Sequence, residues 1–214
     1  MNKPMKPIKT KEMFARDLKI SNVNLLMMIL CSLVNIVMII ANADTSFPFS
    51  ASVPMYLTML FSELCGMRSD EFYELNYGAD WKSYEFMSSG VFWGVVAFSV
   101  IIVGVYALLW YFSKKKKVFT TILTVLYAID SFALLGFNTV VYAFNGSAII
   151  EFAFHAWVFY YLILALKAWD GIAYAPSEAE LAAQTAPVQP APAFDEAAFE
   201  VAQEESVTVN EDAE

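Results

Sequence analysis

The sequence predicts an all-α, polytopic membrane protein: a four-helix transmembrane bundle with a small folded loop on one side and a disordered C-terminal tail. Three observations predict it. Of 214 residues 58% are hydrophobic, and the mean hydropathy is +0.51. Soluble domains carry about 45–50% apolar residues, so lipid must take up the excess. Four segments, residues 21–41, 91–112, 118–143 and 147–168, each supply the run of about 20 mostly apolar residues that crosses a hydrocarbon core about 30 Å thick. Four consecutive lysines, Lys114, Lys115, Lys116 and Lys117, separate the second segment from the third and fix the side on which that hairpin turns. Each span must be helical, because an isolated segment in lipid can satisfy its backbone polar groups in no other way.

Residues 1–20 form a basic segment with Lys3, Lys6, Lys9, Lys11, Arg16 and Lys19. With the lysine quartet and Lys167 they place eleven of 13 bases on one side, leaving Arg68 and Lys82 on the other. The positive-inside rule then puts both termini in the cytoplasm of a multi-pass cell-membrane protein. Aromatic residues mark the same boundaries, Trp110, Tyr111 and Trp169 inside and Trp93, Tyr142 and Phe144 outside. A rival reading takes the basic start, the apolar run and Ala41-Asn42-Ala43 as a cleaved signal peptide. The run exceeds the about 7–15 residues of a signal core, so it reads as a retained first span.

The loop of residues 42–90 is the only external segment large enough to fold. Pro54, two residues after Ser52, stands in a helix-starting context, and the run from Met55 to Leu64 is too short to span, so it is expected to lie at the interface or cap the bundle. Ser69 before Asp70 and Glu71 reads as a second helix start. Phe72, Tyr73, Tyr77, Trp81 and Tyr84, interleaved with acids, then make a small aromatic subdomain. The connections at residues 113–117 and 144–146 are tight, so spans two to four are successive antiparallel hairpins. Asn145-Gly146-Ser147 matches a glycosylation sequon, but Asn-Gly in that position reads as a turn.

Residues 170–214 are rich in Ala, Pro, Gln and Glu, with too few large apolar residues to offset chain entropy, and read as a disordered cytoplasmic tail. The formal charge of −9 resolves into about +1 before residue 175 and −10 after it. A tail of that sign repels phosphate, and the bases cluster at membrane edges, so nucleic acid is excluded as a partner. Ala193-Phe194 and Ala198-Phe199-Glu200-Val201 are a faint acidic-hydrophobic island of the kind some partners read. Cys31 falls within the first span and Cys65 in the loop, too far apart in depth for a disulfide, and no CxxC pair is present.

Ionisable groups within spans cost about 2.5–3.5 kcal/mol on insertion scales and mark a candidate site. Three occur: Asp130, Glu151 and His155. Glu151 and His155 are i and i+4, hence on one helix face, and the antiparallel hairpin brings Asp130 to their level. Asn138 is expected level with Glu151, and Asn35 of the first span at similar depth. One reading is a polar intramembrane pocket that binds a cation, relays protons or holds a polar ligand. The other is structural: Asp130 and His155 satisfy each other while Glu151 snorkels outward. One His, one Glu and one Asp fall short of a catalytic metal's ligand set. No HExxH, Gly-x-Ser-x-Gly or phosphate-cradling loop appears, and no cofactor or metal is expected. Gly90, Gly94, Ala97 and Gly104 share an arc of about 80° on the second span, expected to let another helix of the bundle pack closely, the alternative being a dimer interface.

Several stretches resemble a family of small four-span membrane proteins of anaerobic Gram-positive bacteria: Phe49-Ser50-Ala51-Ser52-Val53-Pro54, Phe112-Ser113-Lys114-Lys115, Ala128-Ile129-Asp130, and Ile150-Glu151-Phe152-Ala153-Phe154-His155-Ala156-Trp157 continuing to Tyr160-Tyr161-Leu162-Ile163. The resemblance covers roughly residues 15–170 and implies a compartment without a mechanism, since the family carries no assigned activity. The expected function is a non-enzymatic accessory or sensing component acting through the loop and tail. The alternative is a small transporter, or a subunit of one, using Asp130, Glu151 and His155 for a cation or proton, with a membrane enzyme third. Expected partners are the lipid bilayer and another membrane protein or a cytoplasmic partner of the tail.

Overall fold

A computed structural model of the chain describes residues 8–43, 45–141 and 146–185. Among these every element is helical: α1 (Lys11–Ile40), α2 (Ser52–Leu64), α3 (Asp70–Tyr77), α4 (Ser89–Ser113), α5 (Lys117–Gly136), α6 (Gly146–Tyr174) and α7 (Glu178–Thr185). A single 3₁₀ turn, Trp81–Ser83, follows α3, and α5 ends in a π-helical turn, Phe137–Val141. The helices α1, α4, α5 and α6 are long and apolar enough to cross a membrane, so the protein is an all-α, multi-pass membrane protein. The two ends of the bundle are named here by what they carry, the lysine end with Lys114 to Lys117 and the loop end with α3.

The core is a seam of interlocking apolar residues. Leu25, Met28, Ile29 and Ile36 of α1 meet Phe92, Val96 and Val103 of α4, Leu123 and Tyr127 of α5, and Val158 and Leu162 of α6. The first span therefore supplies the centre of the packing, α1 lying along α6. It starts ten residues earlier than the apolar run, because Thr10 caps it, its hydroxyl accepting from the Met13 N–H at 3.4 Å. At the same end Lys11 N–H donates to the Pro176 carbonyl at 3.0 Å, and Gly171 of α6 seats the Phe14 ring so closely that a Cβ there would lie 2.2 Å from Phe14 Cγ.

Four features differ from the sequence expectation. The fourth span runs on to Tyr174, past the expected limit near residue 168. Residues 178–185, expected within the disordered tail, are helical, as Glu, Ala, Leu and Gln favour. Residues 186–214, with the acidic-hydrophobic island, and the turn at residues 144–145 lie outside the described residues. The small residues of α4 point the other way: Gly90, Gly94, Ala97 and Gly104 are exposed, and a Cβ at Gly94 or Gly104 would meet nothing within 4 Å. Among the described residues no other helix covers Gly94 or Gly104, and the arc the four share faces outward.

The fourth difference concerns α2. It neither lies flat nor caps the bundle but dips back into it from the loop end, packed among α1, α4 and α5. Ser52, Pro54, Met55, Tyr56, Thr58 and Ser62 are buried. Its second residue, Val53, shares a groove with Ile102, Tyr106 and Asp130, about halfway along α4 and α5. The descending chain is held by α1: Asn35 Nδ2 donates to the Phe47 carbonyl (2.8 Å) and Ser50 Oγ (2.9 Å), Phe47 N–H donates back to Asn35 Oδ1 (2.8 Å), and Ala51 N–H donates to Ser32 Oγ (2.8 Å).

At the loop end α3 begins where expected, Ser69 Oγ accepting from Phe72 N–H at 3.2 Å. Tyr73 is fully buried and stacks on Trp81 at 4.9 Å, with Phe86 at 5.0 Å. Gly66, at φ +68°, turns the chain out of α2 and lies against the Phe86 ring. The Tyr73 hydroxyl donates to the carbonyls of Glu63 (2.8 Å) and Ser62 (3.2 Å), so the aromatic subdomain closes the last turn of α2. Burial pushes the Tyr73 phenol above its ordinary value. Both cysteines are free.

Candidate functional site

The first turn of a helix leaves backbone N–H groups without intrahelical partners. Ala51, at the N-cap of α2, has no side chain to satisfy them, and Pro54 has no N–H of its own. Asp130 of α5 fills the gap from 78 residues away: Oδ2 accepts from Ser52 N–H at 2.8 Å and Oδ1 from Val53 N–H at 2.9 Å. A carboxylate at a helix N-terminus also meets the positive end of the helix dipole, and with 2% of Asp130 exposed little solvent screens it.

His155 of α6 completes this node. Its Nδ1 lies 3.0 Å from the Glu151 carbonyl, which only accepts, so Nδ1 carries a proton. Its Nε2 lies 2.9 Å from Ser52 Oγ and 3.3 Å from Asp130 Oδ2. In the neutral imidazole Nε2 accepts from the Ser52 hydroxyl; in the imidazolium it donates, and the hydroxyl must turn. The ring is stacked on Tyr127, 5.2 Å between centroids and 12° between planes.

One turn along, the same two helices form a second node. Tyr56, four residues after Ser52, donates to Glu151 Oε2 at 2.5 Å, and Glu151 is four residues before His155. Asn138 Nδ2 donates to the Tyr56 oxygen at 3.1 Å. Ser52 and Tyr56 on α2 thus face His155 and Glu151 on α6 as two rungs, and α5 adds Asp130 to one and Asn138 to the other. Glu151 is 9% exposed and bonded inward, so it does not snorkel. Asp130 does approach His155, but its nearer partners are the two backbone N–H groups.

The structure therefore unites Asp130, Glu151, His155 and Asn138, and sets Asn35 apart as the anchor of the chain before α2. Ser52, Tyr56, Tyr127 and the N–H of Val53 escaped the sequence reading. The one available signal was the spacing of Ser52 and Tyr56, i and i+4, which mirrors that of Glu151 and His155. No group of three or more His, Cys, Asp or Glu able to hold a metal exists among the described residues.

At the lysine end, Lys117 Nζ pairs with Asp170 Oδ1 at 2.5 Å, Lys114 lies over the Trp110 ring at 3.4 Å and Lys115 over Tyr111 at 4.6 Å. The lysines and Asp170 are exposed, whereas Trp110 is half-buried.

Fold and site define a class: a multi-pass helical membrane protein whose interior polar groups converge on the buried start of a short helix. Comparison with protein-family models, curated proteins and solved structures finds no match to this chain.

Proposed function

We propose that the chain is a non-enzymatic sensing or accessory component of a bacterial plasma membrane, with both termini cytoplasmic, of the kind found in the anaerobic Gram-positive family it resembles. The observation that carries this reading is the Asp130 carboxylate on the N–H groups of Ser52 and Val53. One end of α2 is tied to the aromatic loop through Tyr73 and the other to the α5–α6 hairpin through Asp130 and His155. A displacement of the loop is thereby passed to helices that reach the opposite side of the membrane. On this reading the loop receives the signal outside, and α6 with the segment beyond it presents it to a cytoplasmic or membrane partner.

A second reading has its own support. Secondary transporters place half-helix N-termini near the bilayer midplane to hold anionic groups, and α2 ends in that manner. Here the chain's own carboxylate occupies the position. Transport would require His155 and Asp130 to exchange a proton or cation there.

Proteoliposomes holding the full chain and an entrapped pH dye separate the two. The sensing reading expects proton and monovalent-cation fluxes equal to those of empty vesicles; a flux abolished by Asp130→Asn, Glu151→Gln or His155→Gln would replace it with transport. Hydrogen exchange tests the coupling itself. Asp130→Asn is expected to raise exchange at the start of α2 and also along residues 148–160, and a change confined to α2 would defeat the sensing reading.

A further inference from the structure

A groove of about 490 Å³ lies between α1 and α4 at the lysine end, away from the polar centre. Leu18, Val23 and Leu26 give it an apolar wall, Trp110 stands opposite, and Lys19 and Lys114 also line it. The groove is built rather than incidental. Trp110 Nε1 donates to the Asn22 carbonyl at 2.7 Å, and Ser113 Oγ donates to Asn22 Oδ1 at 3.2 Å, which fixes α4 against α1 and holds the indole in place. The Lys114 ammonium rests over the Trp110 ring at 3.4 Å.

Among the described residues the charges that line it are of one sign, and no carboxylate is in the lining. Asp17, between the lining residues Ala15 and Leu18 but not itself in the lining, is bound by Lys9 at 3.0 Å, and Asp170 by Lys117 at 2.5 Å. Lys19 and Lys114 are exposed. From Lys19 to the end of α1 at Ile40 is about 32 Å of helix, close to the hydrocarbon thickness, so Lys19 stands where headgroups begin. Basic pockets between helices at that level collect anionic headgroups, and tryptophan favours the same depth.

We infer that this groove is a binding site for an anionic glycerophospholipid of the adjoining leaflet. The phosphate lies between Lys19 and Lys114, and one acyl chain runs down Val23 and Leu26 beside the indole. A zwitterionic lipid offers the same phosphate and chains but brings an ammonium toward two lysines, so the site selects for net negative charge. The lipid also bridges α1 and α4 at the end where Asn22 already joins them.

The test is native mass spectrometry and thermal unfolding of the full-length protein with phosphatidylglycerol or phosphatidylcholine of identical chains. The wild type is expected to retain phosphatidylglycerol with roughly tenfold preference, about what two lysines near an anionic headgroup supply after screening. Lys19→Gln with Lys114→Gln removes the preference, whereas Lys115→Gln with Lys116→Gln, the same charge change outside the groove, keeps most of it. Unfolding in phosphatidylcholine alone serves as the folding control and is expected to be unchanged in both variants. Equal retention of the two lipids by the wild type would overturn the site, and so would an equal loss in both double variants, which would mean that net charge alone attracts the lipid. Val23→Trp, which fills the groove and leaves every charge in place, is expected to lower retention as well; undiminished retention would refute the acyl path.

Discussion

At the centre of the bundle the Asp130 side chain is 2% exposed and its oxygens meet two backbone N–H groups and a histidine; at the lysine end the Asp170 side chain is 56% exposed and meets one lysine. The two carboxylates are chemically identical. What differs is the alternative open to each partner. The groups around Asp170 turn to water when it is removed, whereas those around Asp130 have nothing to turn to. Stability, and any signal carried by α2, should accordingly depend on the centre and hardly at all on the lysine end.

The sharpest way to break that contrast is Asp130→Ala. The N–H groups of Ser52 and Val53 lose their acceptor at the start of a packed helix, and unfolding by denaturing detergent in mixed micelles is expected to shift by about 3 kcal/mol. Asp130→Asn, whose amide oxygen still serves one of the two donors, should lose less. A wild-type midpoint in both would show that α2 is held by packing alone.

The loop end gives an intermediate case. Tyr73→Phe removes the hydroxyl that closes α2 and is expected to cost about 1 kcal/mol, read from Trp81 fluorescence. Its pH response has a definite sign. Because burial raises the folded value above the ordinary 10.0, the stability held by the neutral phenol is complete below that pH and falls as pH rises through the folded value. Tyr73→Phe should diminish the alkaline loss of stability, and a loss of unchanged size in the variant would assign it to other groups. The smallest effect belongs to Lys117→Gln, expected within about 0.5 kcal/mol of wild type because both partners are largely exposed. A loss comparable to that of Asp130→Ala would erase the contrast.

The four long helices were legible because their signal is local: an apolar run of the required length needs no knowledge of its neighbours. The same holds for α3, announced by Ser69 and two acids. The position of α2 was illegible for the opposite reason. Its start shows locally at Pro54 and its end at Gly66, where Met67 N–H closes on the Ser62 carbonyl at 2.8 Å, but the group that caps its first turn, Asp130, lies 78 residues away, and nothing local tells how deep the helix sits. The Asp130, Glu151 and His155 group could be read as a cluster because intramembrane charges are rare, but its partners could not, since Ser52 and Tyr56 lie on an element the reading left at the surface. The small residues of α4 failed differently. Their common arc was correct, yet lipid is as apolar as a bundle interior, so composition does not tell the two sides of such a helix apart.

The seat of Phe14 on Gly171 bears on how the bundle can move. Turning α6 by one residue, about 100°, would bring Asp170 or Ile172 under a ring that already excludes a single methyl group. The bond from Lys11 to the Pro176 carbonyl resists displacement along the axis at the same place. The register of α6 is therefore set at this end, and whatever occurs around His155 must be expressed as a tilt about that fixed point rather than as a twist.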